Sequence, residues 1–583
     1  MNIFKAFNLT ITGLNKISKQ LEYKKNTAIK KIQMHMQPYQ KNRSQILHKL
    51  HFLIIFIVGM MGSINAQFEV QTGANVALAE TTKGKVRGYI HQGIYTYKGI
   101  PYAEAKRFEA SKPLDSWEGV KSTTMYGPVA PLLTPTTQIQ DESEFVFDHD
   151  WGFTNENCLN LNVWTPGVAD GKKRPVMFWI HGGGFTAGSS HELPSYDGEN
   201  LSKKGDVVVV SINHRLNVLG FLDLSAYGEE FKYSANNSIL DMVRALEWVR
   251  DNISNFGGDP ENVTIFGQSG GGAKVNTLMA MPSAKGLFHK AINQSGAFRS
   301  DILTKETTQR IAEETLHELN IAPNEANKIQ SIPFETLSAA SSKALQTVAA
   351  ELSKKGVAVS GFGLSWGPSV DGEALPFQIQ SEEALSLSKE IPLLIGTVKN
   401  EFAPFANLQF HGADEATIMA YIKDTYKEKA EDYIKAVKKA YPETKEPKDL
   451  IDVDLMFRPG TVSQANTKSS LKGGAPVYMY LFTWESPVFD YKYKSLHCME
   501  LPFVFDTVSL ANKMTGGSEE AHELASKMSQ SWINFAKTGN PNHSGIPEWP
   551  VYTPENTATF HFDVKCQVKP QLDKELFEIA LGE

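Results

Sequence analysis

Residues 263–271 read VTIFGQSGG, a short β-rich apolar run followed at once by the pattern Gly-x-Ser-x-Gly. Gly267 and Gly271 lack a Cβ atom, so the chain can turn sharply from a strand into a helix here. Such a turn holds the Ser269 hydroxyl clear of the backbone, at a helix N-terminus that favours negative charge. Because the pattern occurs by chance about 0.2 times in a chain of this length, partners elsewhere in the sequence must support it.

A second glycine-rich turn, HGGGF at 181–185, follows the apolar run VMFWI at 176–180. Successive glycines leave backbone N–H groups free to bind a ligand, and the tetrahedral intermediate of acyl transfer needs such donors for its oxyanion. A phosphate-binding loop would continue with Lys-Ser or Lys-Thr, whereas Phe185 and Thr186 stand here. The predicted oxyanion donors are the N–H groups of Gly183, Gly184 and Gly270.

The predicted base is His497, and the predicted acid lies between it and Ser269 in the chain. His497 stands in the loop after the strand-like run PVYMYLFTW at 476–484, where an imidazole can reach the serine and take its proton. Glu401 closely follows the apolar run 391–396 and can orient the imidazole. Asp371 is the rival acid. It lies in an Asp-Gly turn signal, so position favours Glu401 without excluding Asp371.

From Val176 onward, apolar β-rich runs alternate with helical patterns, whereas residues 67–125 hold short apolar stretches with turn residues between them. The run DVVVVSIN at 206–213 is continuous enough to be buried on both faces. Residues 302–355 and 413–440 have helical composition. Strands that alternate with helices require crossover connections and a largely parallel sheet. The sequence therefore predicts one α/β domain at 67–583, with a largely parallel central sheet flanked by helices and with helical insertions.

Residues 1–66 form a separate basic segment, with ten lysines and arginines and one acid, Glu22. The net charge is −7 overall and therefore −16 for the rest of the chain, which argues against nucleic acid as a partner. The apolar run 51–62 precedes small or polar residues, as in a secretory signal peptide cleaved after Ala66. We expect a secreted or periplasmic protein with no stable membrane insertion after signal removal. A retained membrane anchor is the alternative.

Taken together, these residues resemble the type-B carboxylesterases, and the bacterial branch most. The resemblance implies the α/β-hydrolase fold and hydrolysis of small-molecule carboxylic esters, with no cofactor or metal ion. It selects Glu401 over Asp371 as the acid and makes Ser295 a partner of Glu401. The matching stretches are YKGIPYAEAKRF (97–108), ENCLNLNVWTP (156–166), HGGGF (181–185), VVSINHRLNVLGFL (209–222), NFGGDPENVTIFGQSGGG (255–272), AKGLFHKAINQSGA (284–297), HCMELPFVF (497–505) and WINFAKTGNP (532–541).

Several positions depart from the pattern that this resemblance implies, and three of them concern the site or a disulfide. Gly270 stands where the family commonly has alanine, and we expect little effect because the donor is a backbone N–H. Cys158 matches a half-cystine whose usual partner is replaced by Ala130, which puts the usual disulfide in doubt. Cys498 stands where glycine or alanine is frequent, and we interpret it as a packing residue.

Two other functions remain open at this stage. The same fold carries non-catalytic adhesion or receptor domains, as the neuroligin branch implies, although those typically lack the serine that this chain has. An extracellular lipase or polyester hydrolase would use the same chemistry on a bulkier substrate. The sequence indicates neither the pocket shape nor the oligomeric state.

Overall fold

The computed structural model describes residues 69–133, 142–357 and 363–582, and the chain from Val70 to Glu583 forms one compact unit. The predicted signal segment at 1–66 lies outside the described residues. Within the described ranges, every helix is too short or too polar to cross a bilayer.

The strands of the described residues, numbered β1 to β17 in chain order, are Val70–Gln71, Leu78–Thr81, Gly84–Arg87, Tyr89–His91, Ile94–Pro101, Val120–Ser122, Asn160–Thr165, Arg174–Ile180, Val208–Ile212, Gly258–Gln268, Lys290–Gln294, Leu303–Thr304, Ser369–Val370, Leu393–Val398, Val477–Phe482, Thr559–Phe562 and Gln567–Lys569.

The α-helices of the same ranges, numbered α1 to α16, are Ser143–Phe147, Glu199–Gly205, Asn217–Phe221, Asn237–Asn252, Gly270–Met279, Lys305–Glu318, Phe334–Lys354, Glu382–Ser386, Ala403–Ala406, Glu415–Tyr426, Ala430–Ala440, Arg458–Ser470, Leu501–Val504, Asn512–Thr515, Glu519–Thr538 and Lys574–Leu581.

The central sheet of the described residues has twelve strands in the order β1-β4-β5-β7-β9-β8-β10-β11-β14-β15-β16-β17. The pairings from β9 through β16 are all parallel, and those at the two edges are antiparallel. Helices connect successive parallel strands, as crossover connections require. The predicted largely parallel α/β sheet is therefore present.

Most of the core lies in two apolar layers, one on each face of this sheet, and a third apolar cluster joins α10, α11 and α16. Side chains alternate between the layers along each central strand, because successive residues of a strand point to opposite faces. Along β8, Val176, Phe178 and Ile180 pack in one layer, while Met177 and Trp179 pack in the other. Burial on both faces explains why the central strands are continuously apolar.

Candidate active site

Ser269 lies at the sharp turn between β10 and α5. Its φ of 58° and ψ of −126° fall where a residue with a side chain is strained, a feature that clusters at functional sites. A Cβ atom at Gly267 would lie 2.5 Å from the carbonyl carbon of Gly271 and 2.7 Å from the carbonyl oxygen of Ile180. Glycine is therefore required here, as the sequence pattern predicts, and the turn leaves Ser269 partly exposed.

Four neighbouring parallel strands bring the predicted side chains to one edge of the sheet. Ser269 and Ser295 directly follow β10 and β11, Glu401 follows β14, and His497 lies in the loop after β15. These strands are adjacent in the order β10-β11-β14-β15, so their carboxyl ends coincide. Like Ser269, Ser295 and Glu401 have positive φ angles, of 50° and 47°. The backbone thus turns sharply at three adjacent strand ends.

Glu401 and His497 are buried and hydrogen bonded to each other through Glu401 Oε2 and His497 Nδ1. The other carboxylate oxygen of Glu401 accepts hydrogen bonds from the Ser295 hydroxyl at 2.6 Å and from the Val398 N–H at 3.0 Å. The rival acid, Asp371, instead accepts a hydrogen bond from the side chain of Asn236 at 3.0 Å. The carboxylate that meets the histidine is therefore Glu401, and Ser295 is its partner.

The Ser269 hydroxyl makes no hydrogen bond to His497 within the described part of the chain, but the residues next to each are in contact. Gln268 Nε2 lies 3.4 Å from both ring nitrogens of His497. Equal distances to both nitrogens place this amide against the face of the ring. The thiol of Cys498 donates to Gln268 Oε1 at 3.1 Å. Cys498 is thus more than the packing residue we expected, because it holds the amide that covers the imidazole.

The glycine turn after β8 packs directly on the serine turn. The N–H groups of Gly183 and Gly184 have no acceptor among the described residues, and both glycines are at least partly exposed. Gly270 begins α5, so its N–H also lacks an acceptor within the helix. A Cβ atom at Gly270 would lie well inside 3.0 Å of the carbonyl oxygen of Gly184. An alanine at position 270 would therefore require the two turns to move apart, because their backbones touch there.

Burial is the largest cause of the pKa shifts of His497 and of the carboxyl groups around it. It lowers the pKa of His497 and raises that of Glu401, while the Ser295 hydroxyl and the Val398 N–H lower the pKa of Glu401 by bonding its charged form. Two further carboxyls, Asp454 and Glu500, have their pKa values raised to about 7 by burial, and the charge of Glu401 adds to both shifts. Those two negative charges favour protonation of His497, which helps an imidazole that must accept a proton.

A continuous series of aromatic rings extends from His497 towards the surface. The ring of Phe402 lies 4.1 Å from the imidazole, centre to centre, and 6.4 Å from Phe405. Phe405 lies 6.4 Å from Phe147, which begins a stack through His149 to Trp151. Phe402 is 37% exposed. We call these six rings the aromatic wall, and its inner end at Phe402 lies against His497.

The cysteines carry no disulfide. Cys158 and Cys566 are buried, Cys498 is partly buried, and all three thiols are free. Cys158 therefore lacks the disulfide that is usual in the family, as the alanine at position 130 led us to expect.

A cluster that could ligate a metal ion lies away from the site. Within the described ranges, the ligand atoms of Glu314, His317 and Glu318 lie within 4.8 Å of one another. Arg310 already pairs with Glu314 at 2.8 Å, and the cluster has no contact with the serine turn.

Sequence reasoning missed three features of the site: the amide of Gln268 over the imidazole, the aromatic wall, and Lys274 on α5. The first two depend on contacts between distant segments, so no local pattern indicates them. Lys274 had a visible signal, because it is a charged residue in the otherwise uncharged stretch that follows the serine turn.

A serine on a strand-to-helix turn, a carboxylate–histidine pair and unpaired backbone N–H groups at one edge of a parallel sheet define a serine hydrolase of the α/β-hydrolase fold. The model of the carboxylesterase family matches residues 75–579. The chain therefore belongs to the carboxylesterase family, and it is a serine carboxylic-ester hydrolase.

Relatives of known activity or structure support this assignment over nearly their whole length. The chain is 36% identical to the para-nitrobenzyl esterase of Bacillus subtilis, covering 85% of this chain and 97% of that protein. The phenmedipham hydrolase of Pseudarthrobacter oxydans is 32% identical, with 82% and 94% covered. A solved esterase of Clostridium hathewayi is similar with a TM-score of 0.77 and 38% identity, covering 88% of this chain and 99% of that one. The predicted family and fold are confirmed, and the adhesion alternative is not favoured.

Proposed function

We propose that Ser269 attacks the ester carbonyl and carries the acyl group. In this mechanism His497 takes the serine proton and returns it to the leaving alcohol, and water then hydrolyses the acyl-enzyme in the same way. Glu401 orients the imidazole through Nδ1, leaving Nε2 for the serine. The observation that carries the proposal is the buried hydrogen bond between Glu401 and His497 beside the serine turn.

The proposal requires two contacts to form when the substrate binds. The Ser269 hydroxyl must come within hydrogen-bond distance of His497 Nε2, and such contacts are often long in free enzymes and tighten with substrate. The carbonyl oxygen must reach the N–H groups of Gly183, Gly184 and Gly270. Loss of one such donor typically slows an enzyme by about 10²–10³-fold.

The test of the mechanism is hydrolysis of a short-chain nitrophenyl ester by Ser269→Ala. We expect turnover to fall to background while the circular dichroism spectrum stays that of the wild type. Ser300→Ala, at an exposed serine outside the proposed site, is the matched control and should keep full activity. Turnover by folded Ser269→Ala at the wild-type rate would reject Ser269 as the nucleophile.

We further propose that the preferred substrates carry an aromatic group next to the scissile ester. The support is the aromatic wall, because aromatic rings bind one another in offset or edge-to-face contacts that are worth about 0.5–1.5 kcal/mol beyond their buried area. The name of one relative, the para-nitrobenzyl esterase of Bacillus subtilis, also refers to an aromatic ester. The Clostridium hathewayi esterase can hydrolyse aliphatic aromatic polyesters, so aromatic polyesters are the bulkier candidate substrates.

A panel of esters tests this preference. Phe402→Leu should lower kcat/KM for benzyl esters by about 3- to 10-fold, the equivalent of one aromatic contact, and should change it little for butyl esters. Phe377→Leu is the matched control, because Phe377 is 39% exposed against 37% for Phe402 and makes no ring contact among the described residues. Equal losses on both ester classes would contradict an aromatic preference.

We also propose that the protein is exported and cleaved after Ala66. The support is the layout of residues 1–66 in the sequence. Mass spectrometry of the protein outside the cytoplasm of its host should give an N-terminus at Gln67. An intact N-terminal segment on the exported protein would favour the membrane anchor instead.

A further inference from the structure

The helix that follows the serine turn contains a fully buried lysine. All residues of α5 are buried, and Lys274 is 0% exposed. A lysine side chain removed from water must find hydrogen-bond acceptors within the protein. Its Nζ donates to the carbonyl oxygen of His181 at 3.0 Å and to that of Gly182 at 3.3 Å. Lys274 therefore contacts the backbone of the glycine turn.

The contact with Gly182 is made to the peptide group that joins Gly182 to Gly183. The carbonyl of Gly182 and the N–H of Gly183 belong to the same planar trans peptide, so they point in opposite directions. Lys274 bonds the carbonyl side, and the N–H of Gly183 therefore points away from it. That N–H has no acceptor within the described ranges, and it is one of the proposed oxyanion donors.

We propose that Lys274 is a positioning residue for the oxyanion hole. Together with His181 Nδ1, which lies 3.0 Å from the carbonyl oxygen of Gly182, it holds the plane of the peptide between Gly182 and Gly183. Its positive end also polarises this peptide, so that the Gly183 N–H becomes a stronger donor. Hydrogen bonds in series strengthen one another in this way when they are shielded from water. The inference rests on the proposed function, because it needs Gly183 to bind the oxyanion.

Two opposing effects act on the charge of Lys274, which faces the glycine turn. Burial lowers the pKa of Lys274 to about 7, and the nearby carboxyl of Glu192 raises it. Glu192 is itself held by the Ser189 N–H at 3.0 Å and the Tyr196 hydroxyl at 3.2 Å. The imidazoles of His181 and His214 also face this space, and burial together with Lys274 keeps their pKa values well below the usual range. Both shifts favour the neutral imidazole.

The experiment compares Lys274→Met with Lys468→Met. Lys468 is the matched control, because it too is buried and its Nζ donates to a backbone carbonyl, that of Ser388, at 2.6 Å. Two quantities are measured: the kinetic constants for a nitrophenyl ester, and the inhibition constant of a trifluoromethyl ketone. The ketone forms a tetrahedral adduct whose oxyanion must bind the same donors.

For Lys274→Met we expect kcat to fall by about 10- to 100-fold, somewhat less than for loss of a donor itself. KM should change little, and the inhibition constant of the ketone should rise by the same factor as kcat falls. Lys468→Met should change neither quantity. If Lys274 had a merely structural role, the fall in kcat and the weakening of ketone binding would not be equal.

Unchanged kcat and ketone binding in Lys274→Met would overturn the inference, and so would a fall in kcat without weaker ketone binding. If Lys274→Met does not fold, Lys274→Gln is measured with the same two readouts and the same criteria. Ser269→Ala separates this result from the proposed function. If Ser269→Ala is inactive while Lys274→Met behaves as the wild type, only the role of Lys274 is rejected.

Discussion

Removal of the Ser295 hydroxyl tests the proposed pairing of Glu401 with His497. Both Ser295 and Glu401 are 0% exposed, and their hydrogen bond is 2.6 Å long. A hydrogen bond to a charged group contributes about 1.5–3 kcal/mol, and one pKa unit corresponds to about 1.36 kcal/mol. Loss of the bond in Ser295→Ala should therefore raise the pKa of the Glu401–His497 pair by about 1–2 units.

The sign of the effect on activity follows from the active form of the pair, which has an ionised Glu401 and an unprotonated His497 Nε2. Ser295 stabilises the ionised carboxylate and so lowers its pKa. Without the hydroxyl, the pair keeps its extra proton to higher pH, because the two groups titrate together. The acid limb of kcat/KM should move upward by about 1–2 pH units, while the plateau at higher pH changes little.

The assay is the pH profile of kcat/KM for a nitrophenyl ester. Thr397→Val is the matched control, because Thr397 is buried on β14, one residue before Val398, and its hydroxyl has no hydrogen-bond partner among the described residues. Its profile should overlay that of the wild type. An unmoved acid limb in Ser295→Ala, or an equal shift in Thr397→Val, would refute this reasoning about Glu401.

Three further changes have expected outcomes. Gly270→Ala should lower kcat by about 10²-fold, because the new Cβ atom must displace the glycine turn by on the order of 1 Å, and full activity would contradict the observed contact. Arg215→Met should lower the free energy of unfolding by about 3–5 kcal/mol, because Arg215 pairs with the fully buried Asp241 at 2.7 Å and 2.8 Å, and a urea midpoint like that of the wild type would argue against this. Burial raises the pKa of all three free thiols, that of Cys158 to about 12, that of Cys498 well above its usual range and that of Cys566 above its usual value. Iodoacetamide at neutral pH should therefore leave the mass of the native protein unchanged, whereas rapid labelling would mean an accessible thiolate.

Local sequence patterns predicted the elements that carry the site. Glycine is needed at 267 because a Cβ atom there would meet Gly271 within the same turn, and that clash can be anticipated from the residues alone. At Gly271 a Cβ atom would instead meet the carbonyl oxygens of Ile180 and His181, a contact that only the fold reveals. The continuous apolar character of β8 and β9 likewise indicates strands buried on both faces. The parallel sheet follows from the alternation of strands and helices, so the edge where the side chains meet was also predictable.

The choice between competing residues could not be made from local pattern. Asp371 and Glu401 both lie between Ser269 and His497 in the chain. The place of Glu401 after a strand-like run favoured it, and the family resemblance selected it. Which of the two carboxylates contacts His497 is visible only in the fold. There Asp371 bonds Asn236, whereas Glu401 meets the histidine. Such pairings join residues about a hundred positions apart, so they depend on strand order and loop geometry.

By itself, the sequence determined the α/β sheet, the serine turn and the glycine turn, because each arises from steric or hydrophobic constraints among residues that are neighbours in the chain. Only the tertiary structure decided how tightly those turns pack, as at Gly270 against Gly184, and what lies behind them, as with Lys274. Packing distances and burial arise when distant segments exclude water together, and those quantities set both the space for a Cβ atom and the pKa of a buried group.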